Sequence, residues 1–338
     1  MSDFLSDKAV ERLRTAGGLP EFSGTRYILQ EFLARGGMGT VYTAQDKTLG
    51  RRVAIKVLDS SDPHGALEER LLREARVLAK LEHPGIVPVH DAGTLADGRV
   101  FYVMKFVEGS RVDQSVASVS SLPERLRLFL RICETVSFAH SRGILHRDLK
   151  PANVMVGAFG EVLVMDWGLA KILQSDARSS EETIGSAAAP PDTVTADTAT
   201  QITSPTQDGM VMGTPGFMSP EQAQGKSSSL DARTDIFSLG KLLQVMVKPA
   251  KNPTAFRIPR VLRAICEKAS AENLTDRYGS VSALAADISQ YLDGMPVSAH
   301  RENLWERTQR FYIRYQAAIL LITAYLLMRT LFVFFDRP

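Results

Sequence analysis

From Tyr27 the chain is a series of short apolar stretches separated by turn residues. Tyr27 to Leu33 is apolar-rich and predicts a strand, the turn Gly36-Gly37-Met38-Gly39 follows, and Val41-Tyr42 opens a second strand. After a turn at Lys47 to Gly50, the stretch Arg52 to Leu58 alternates, with Val53, Ile55 and Val57 on one face and Ala54 and Lys56 on the other. The pattern predicts a β-meander with a glycine-rich first hairpin. Over residues 66 to 82 the period changes. Leu67, Leu71, Ala75, Leu78 and Leu81 recur at helical spacing, Glu68, Arg70, Arg73 and Arg76 take other faces, and His83-Pro84 closes the helix. Ile86 to Ala92 and Arg99 to Phe106 predict two more strands around a turn at Asp97-Gly98. A helix follows Pro123, with a stripe of Leu126, Phe129, Leu130, Cys133, Val136 and His140 that reads as core. Neither Cys133 nor His140 is expected to do chemistry. Val162 to Met165 predicts a short buried strand.

Three stretches break this pattern. Residues 1–26 read as a leader closing in Gly17-Gly18 and Pro20. Ile172 to Met212 holds 12 Ser and Thr among 41 residues and no aromatic residue, too little apolar surface to fold alone, so disorder is expected. Ala317 to Phe335 is 19 residues with 11 Leu, Ile, Val and Phe. As a helix it would reach about 28 Å, close to a bilayer core. Arg329 interrupts it six residues from its end, where the side chain could snorkel. Arg301, Arg307, Arg310 and Arg314 precede it, which predicts a cytoplasmic location for the rest of the chain.

Length and composition add limits. A chain of 338 residues suggests about two lobes or domains, and 44% apolar residues suffice for a core. A net charge of +2 argues against nucleic acid as the main partner. Two cysteines, Cys133 and Cys266, make no disulfide framework and fit a reducing compartment. The six histidines show no metal-ligand spacing, and the N-terminus lacks a basic-then-apolar signal peptide.

The chemistry concentrates in His146-Arg147-Asp148-Leu149-Lys150-Pro151-Ala152-Asn153. Asp148 can accept a proton from an incoming hydroxyl, Lys150 can neutralise a phosphoryl group in flight, and the Asn153 carbonyl oxygen can hold Mg²⁺. Phosphoryl transfer needs this combination of positioning and charge stabilisation. Asp166, in Asp166-Trp167-Gly168, lies 13 residues beyond Asn153 across a hairpin and supplies a second metal ligand. In Ala34-Arg35-Gly36-Gly37-Met38-Gly39-Thr40-Val41 the glycines allow close backbone approach to a phosphate.

These motifs resemble those of the protein kinases, and over about Tyr27 to Leu292 the chain is similar to the bacterial eukaryotic-type (Hanks-type) serine/threonine kinases. The resemblance implies an α+β, two-lobed fold. A small β-rich lobe (27–107) would bind ATP against a larger helical lobe (108–293), with a disordered activation-loop insertion at about 172–212. A basic juxtamembrane segment (294–316) and a transmembrane helix (317–335) would follow. The resemblance implies that Lys56 of Val53-Ala54-Ile55-Lys56 contacts the ATP phosphates. Glu74 is the best match to its helix partner, with Glu68 and Glu69 as rivals. Leu33 through Val41, Ala54, Lys105, Val107 and Met155 would line the nucleotide site. Met104 would be the gatekeeper, and Ala34 stands where the family's first loop glycine is usual. Mg²⁺, with Mn²⁺ as an alternative, would sit on Asn153 and Asp166.

Gly213 to Glu221 resembles the peptide-substrate segment, which together with Lys150 points to Ser/Thr hydroxyls of proteins. Asp235 would prop the catalytic loop, and Arg277 would pair with Glu221. Arg147 would receive a phosphate on the activation loop, with Thr206 as first candidate and Thr203 and Ser204 next. Autophosphorylation in trans would involve a homodimer. Two rival readings are a nucleotide-binding scaffold without transfer, motivated by Ala34 and Trp167, and a small-molecule kinase.

Overall fold

The computed structural model describes residues 20–36, 39–59, 65–118, 121–167, 171–172, 214–225, 230–248, 258–300 and 304–335. Gly37, Met38, Gly168, residues 1–19, most of the serine- and threonine-rich stretch, and Thr203, Ser204 and Thr206 lie outside the described residues.

The first lobe is an antiparallel sheet in the order β1-β2-β3-β5-β4. Its strands are β1 (Tyr27–Arg35), β2 (Thr40–Asp46), β3 (Arg51–Val57), β4 (Val89–Thr94) and β5 (Val100–Lys105), with helix α1 (Ala66–Lys80) inserted after β3. The alternation in β3 sorts its side chains to two faces. Val53, Ile55 and Val57 join Phe22, Tyr27, Leu95, Phe101 and Val103 in one apolar cluster. Ala54 faces the other way, into a cluster with Tyr102, Met104 and the α1 residues Leu71, Ala75 and Leu78. Phe22 packs edge-on against Phe101, so the chain just before β1 belongs to this sheet.

Two expectations need correction. The strand expected from Ile86 begins only at Val89, because Pro88 offers no N–H to a ladder. Ile86 makes an isolated bridge to Val164 instead. Leu67, expected on the apolar face of α1, is exposed, and Glu74 takes a buried place on that face.

The second lobe is helical around three short β pieces. β6 (Gly109–Arg111), β8 (Val154–Gly157) and β9 (Val162–Val164) form one sheet, and β7 (Ile144–Leu145) pairs with β10 (Lys171–Ile172). Its helices are α2 (Val112–Ser118), α3 (Leu122–Ser141), α4 (Pro220–Ala223), α5 (Ala232–Val247), α6 (Arg260–Ala269) and α7 (Val281–Leu292). α5 is apolar on nearly every side and sits at the centre, as such a helix must. It crosses α6 closely at Gly240, where a Cβ would lie 2.8 Å from the Ala269 Cβ.

Packing of this lobe runs on to Val297, which is buried. The carboxylate of Asp287 on α7 holds the segment. It accepts from Ser298 N (2.7 Å), Ser298 Oγ (2.9 Å), Ala299 N (3.0 Å) and Tyr278 Oη (2.7 Å). Burial pushes Asp287 upward, but the donors from Ser298, Tyr278 and Ala299 outweigh it and hold its pKa below the ordinary value.

The last helix, α8 (Leu304–Phe335), carries exposed Leu320, Leu321, Ile322, Tyr325, Leu326, Leu327, Met328 and Leu331. The expected membrane-spanning helix is nevertheless not supported as such. Among the described residues no helix is long and apolar enough to cross a membrane.

Asp287→Ala removes an acceptor from two backbone N–H groups and two hydroxyls. It should lower stability by about 2–3 kcal/mol, which thermal unfolding would show as a drop of roughly 4–10 °C. Because the folded pKa is depressed, this contribution is present above the ordinary aspartate range and fades as pH falls through the lowered value. The difference between parent and variant should therefore shrink in acid.

Candidate active site

The loop between β7 and β8 is held by Asp235 of α5. This side chain is fully buried. It accepts from His146 N at 2.9 Å and Arg147 N at 2.8 Å, and its Oδ2 lies 2.7 Å from His140 Nε2. Burial alone would raise the Asp235 pKa, but His140, His146 and the Arg147 amide outweigh it and leave the pKa below its ordinary value. Arg147 has φ 68°, a left-handed conformation that costs a non-glycine residue energy. The two amides on Asp235 and the bond from Gln222 Nε2 to Arg147 O, at 2.7 Å, over-determine it. The His146 ring accepts from Asp148 N on Nδ1, so its proton sits on Nε2 and is donated to Met165 O at 2.9 Å. His146 and the buried Trp167 ring are 4.6 Å apart.

Asp148 emerges from this loop with its carboxylate bracketed. Oδ2 accepts from Lys150 Nζ at 2.6 Å and Asn153 Nδ2 at 3.2 Å, and Oδ1 accepts from Thr214 Oγ1 at 2.9 Å. Lys150 Nζ also donates to Thr214 Oγ1 at 2.7 Å. Asn153 Nδ2 donates to Asp148 O at 2.8 Å, so the Asn153 group suited to a cation is its carbonyl oxygen.

Lys56 projects from β3 and carries the ionic link between the lobes. Its Nζ donates to Glu74 Oε1 at 2.9 Å, to Glu74 Oε2 at 2.8 Å and to Asp166 Oδ1 at 3.2 Å. Glu74 is therefore the helix partner, and Glu68 and Glu69 are not. Burial pulls the Lys56 pKa down, but Glu74 and Asp166 more than offset it, and the lysine stays a cation. Burial likewise pushes Asp166 up, and Lys56 brings it below the ordinary carboxylate value. Asp166 has φ 59° and a half-exposed side chain. Met165 N donates to Asn153 O at 2.8 Å, which keeps Asn153 and Asp166 on adjacent backbone. A carboxylate and an amide carbonyl, both hard oxygen donors, suit Mg²⁺ completed by phosphate oxygens and water. Among the described residues no group of three or more His, Cys, Asp or Glu could hold a metal without such help.

The residues around the glycine-rich turn are framed by strand register. Ala34 pairs with Val41, Arg35 with Thr40, Val41 with Lys56, and Ala54 with Met104. Gly39 meets the β3 backbone so closely that a Cβ would lie 2.2 Å from Val57 O. Gly36 N donates to Gly39 O at 2.9 Å. Leu33 is exposed on β1, Val107 is buried after β5, and Met155 is half-buried on β8. Lys105 N is spent on Pro88 O at 3.0 Å.

Glu221 and Arg277 form a buried two-pronged ion pair, with Nη1 to Oε1 at 2.8 Å and Nη2 to Oε2 at 2.9 Å, and Thr234 Oγ1 adds to Oε1.

Sequence reasoning misses five residues here. Thr214 bridges Asp148 and Lys150, His140 and Gln222 support the loop, and Tyr102 Oη donates to Glu74. Asp59 joins Arg35 Nε and Thr40 Oγ1, one on each flank of the glycine-rich turn. A polar residue inside an apolar stripe or strand, as at His140 and Tyr102, is the signal that was present.

A family model described as protein kinase domain matches residues 27–268. The chain is 33% identical to the serine/threonine-protein kinase PknD of Protochlamydia amoebophila, over 90% of this chain and 34% of that protein. It is 36% identical to the PknD of Chlamydia caviae, over 80% of this chain and 32% of that protein. The chain thus spans about a third of the length of these curated relatives. Among solved structures, the kinase domain of PknI from Mycobacterium tuberculosis superposes with a TM-score of 0.54 at 24% identity, covering 82% of this chain and 98% of that one. That likeness speaks to the fold.

Removing one member of the Glu221–Arg277 pair strands a buried charge. Arg277→Ala should cost about 3–5 kcal/mol, read by denaturant unfolding. Glu221→Gln, which keeps hydrogen-bonding capacity, should cost less.

Proposed function

We propose that this chain, which belongs to the protein kinase family, transfers the γ-phosphate of ATP to Ser and Thr hydroxyls of proteins, its own included. The observation that carries this reading is the Asp148 carboxylate set between Lys150, Asn153 and Thr214. Asp148 orients the incoming hydroxyl and takes its proton. Lys150, within reach of both Asp148 and Thr214, stabilises charge on the transferring phosphoryl group. Lys56, clamped by Glu74, sets the nucleotide phosphates. Asn153 and Asp166 would hold the metal, Mg²⁺ or Mn²⁺, which when bound supplies charge neutralisation at the phosphates. Thr214 presents a hydroxyl 2.9 Å from Asp148 Oδ1, the same chemistry as the proposed acceptor. The PknD relatives, named as serine/threonine-protein kinases, support Ser/Thr protein substrates over a small-molecule acceptor. The complete set of charged groups favours transfer over a nucleotide-binding scaffold.

Two further assignments belong to this reading. The first is a membrane anchor at 317–335, with the kinase lobes on the cytoplasmic side and the basic segment 294–316 between. Eleven Leu, Ile, Val and Phe favour insertion by about −0.3 to −0.6 kcal/mol each, against roughly 2.5–3.5 for Arg329 at the centre. The second is control by phosphorylation of the segment before Thr214, received by Arg147 and carried out in trans within a homodimer.

Asp148→Asn should leave nucleotide affinity nearly unchanged while turnover falls about 10²–10⁴-fold. Near-parent turnover would remove Asp148 from the mechanism. For the anchor, cell fractionation of the full chain should place it with membranes until detergent is added. Recovery in the soluble fraction would contradict it. For the control device, mass spectrometry of the active protein should find phosphate among residues 203–206. Replacing Thr203, Ser204 and Thr206 together by alanine should lower activity several-fold, and Arg147→Ala should blunt the same activation. An unmodified cluster in an active enzyme would end this proposal.

A further inference from the structure

Tyr102 lies in the middle of β5, two residues before Met104, and is among the largest fully buried side chains. A hydroxyl in such a place is costly unless it finds a partner. Its partner is Glu74, and the Tyr102 Oη donates to Glu74 Oε1 at 2.8 Å. The same oxygen accepts from Lys56 Nζ at 2.9 Å, while Oε2 accepts from Lys56 at 2.8 Å. Lys56 Nζ also stands 5.9 Å from the centre of the Tyr102 ring. One aromatic side chain thus touches both members of the ion pair, the anion through its hydroxyl and the cation through its ring face. Phenylalanine would fill the same space and pack as well. Only the hydroxyl adds a bond to Glu74.

We infer that Tyr102 is a positioning residue, which fixes the Glu74 carboxylate from the strand side and so keeps Lys56 and α1 in the phosphate-binding arrangement. The inference rests on the kinase reading of Lys56. It assigns the clamp three members, drawn from β3, α1 and β5.

The groups that face Glu74 define how the clamp answers to pH. They are Lys56 from β3, Tyr102 from β5, Asp166 from beyond β9, and Arg70 one turn back on α1. Burial raises the Glu74 pKa and Asp166 adds to this, while Lys56 and the Tyr102 hydroxyl work the other way; the net pKa is above the ordinary glutamate value. The clamp needs the carboxylate ionised, so it fails as pH falls through that raised value. Without the hydroxyl it should fail at a higher pH.

The test measures affinity of the full chain for a fluorescent ATP analogue with Mg²⁺ against pH, in the parent, Tyr102→Phe, Glu74→Gln and the double variant. Loss of one hydrogen bond to a charged group should weaken binding about tenfold in Tyr102→Phe and move the acid midpoint up. In the Glu74→Gln background the Glu74 carboxylate is gone, so Tyr102→Phe should leave the midpoint in place and change affinity by no more than about threefold. Unchanged binding and midpoint in Tyr102→Phe, or equal losses in both backgrounds, would overturn the inference, the second leaving Tyr102 a packing residue only. A parent that binds nucleotide but transfers no phosphate would overturn the kinase reading alone, since the binding curves still read the effect of the hydroxyl on Glu74.

Discussion

The site depends on a buried carboxylate that holds a strained loop. Arg147 sits at φ 68°, and a residue in that region costs on the order of 1–3 kcal/mol unless its surroundings enforce it. Asp235 enforces it by accepting the His146 and Arg147 amides, and Gln222 adds a bond to the Arg147 carbonyl. A fully buried charge is itself expensive, and the donors from His140 and the loop make it tolerable. Asp235 stays ionised as a result, and its contribution is present above the ordinary aspartate range and lost as pH falls through its lowered value. Asp148, Lys150 and Asn153 take their places from this loop, so the chemistry inherits its geometry from α5.

The second constraint is charge matching between the lobes. Lys56 comes from the sheet, Glu74 from α1 and Asp166 from the helical lobe, and all three meet at Lys56 Nζ. Two carboxylates and one cation leave a negative balance that a metal ion would correct. Asp166, half-exposed at φ 59°, is the member turned to solvent.

What could be read from the sequence was what is local. The alternation of β3, the period of α1 and the run from His146 to Asn153 each lie within a few residues, and each appears at its expected place within a residue or two. What could not be read is what the fold brings together. His140 reads as core because it falls in an apolar stripe, and its partner Asp235 is 95 residues away. Tyr102 reads as an ordinary strand residue, although it bonds Glu74 28 residues back. Thr214 reads as part of a substrate segment, yet it bonds Asp148 66 residues earlier. The strand expected from Ile86 fails for a local reason, the missing N–H of Pro88, that propensity alone understates.

The most direct test of the account is transfer of radiolabel from γ-labelled ATP, with Mg²⁺, to protein, followed by phosphoamino-acid analysis. The account predicts label on serine and threonine, in the chain itself and in an added protein, that disappears when the metal is chelated. Nucleotide binding with no label on any protein hydroxyl, or label that does not depend on a divalent metal, would contradict it.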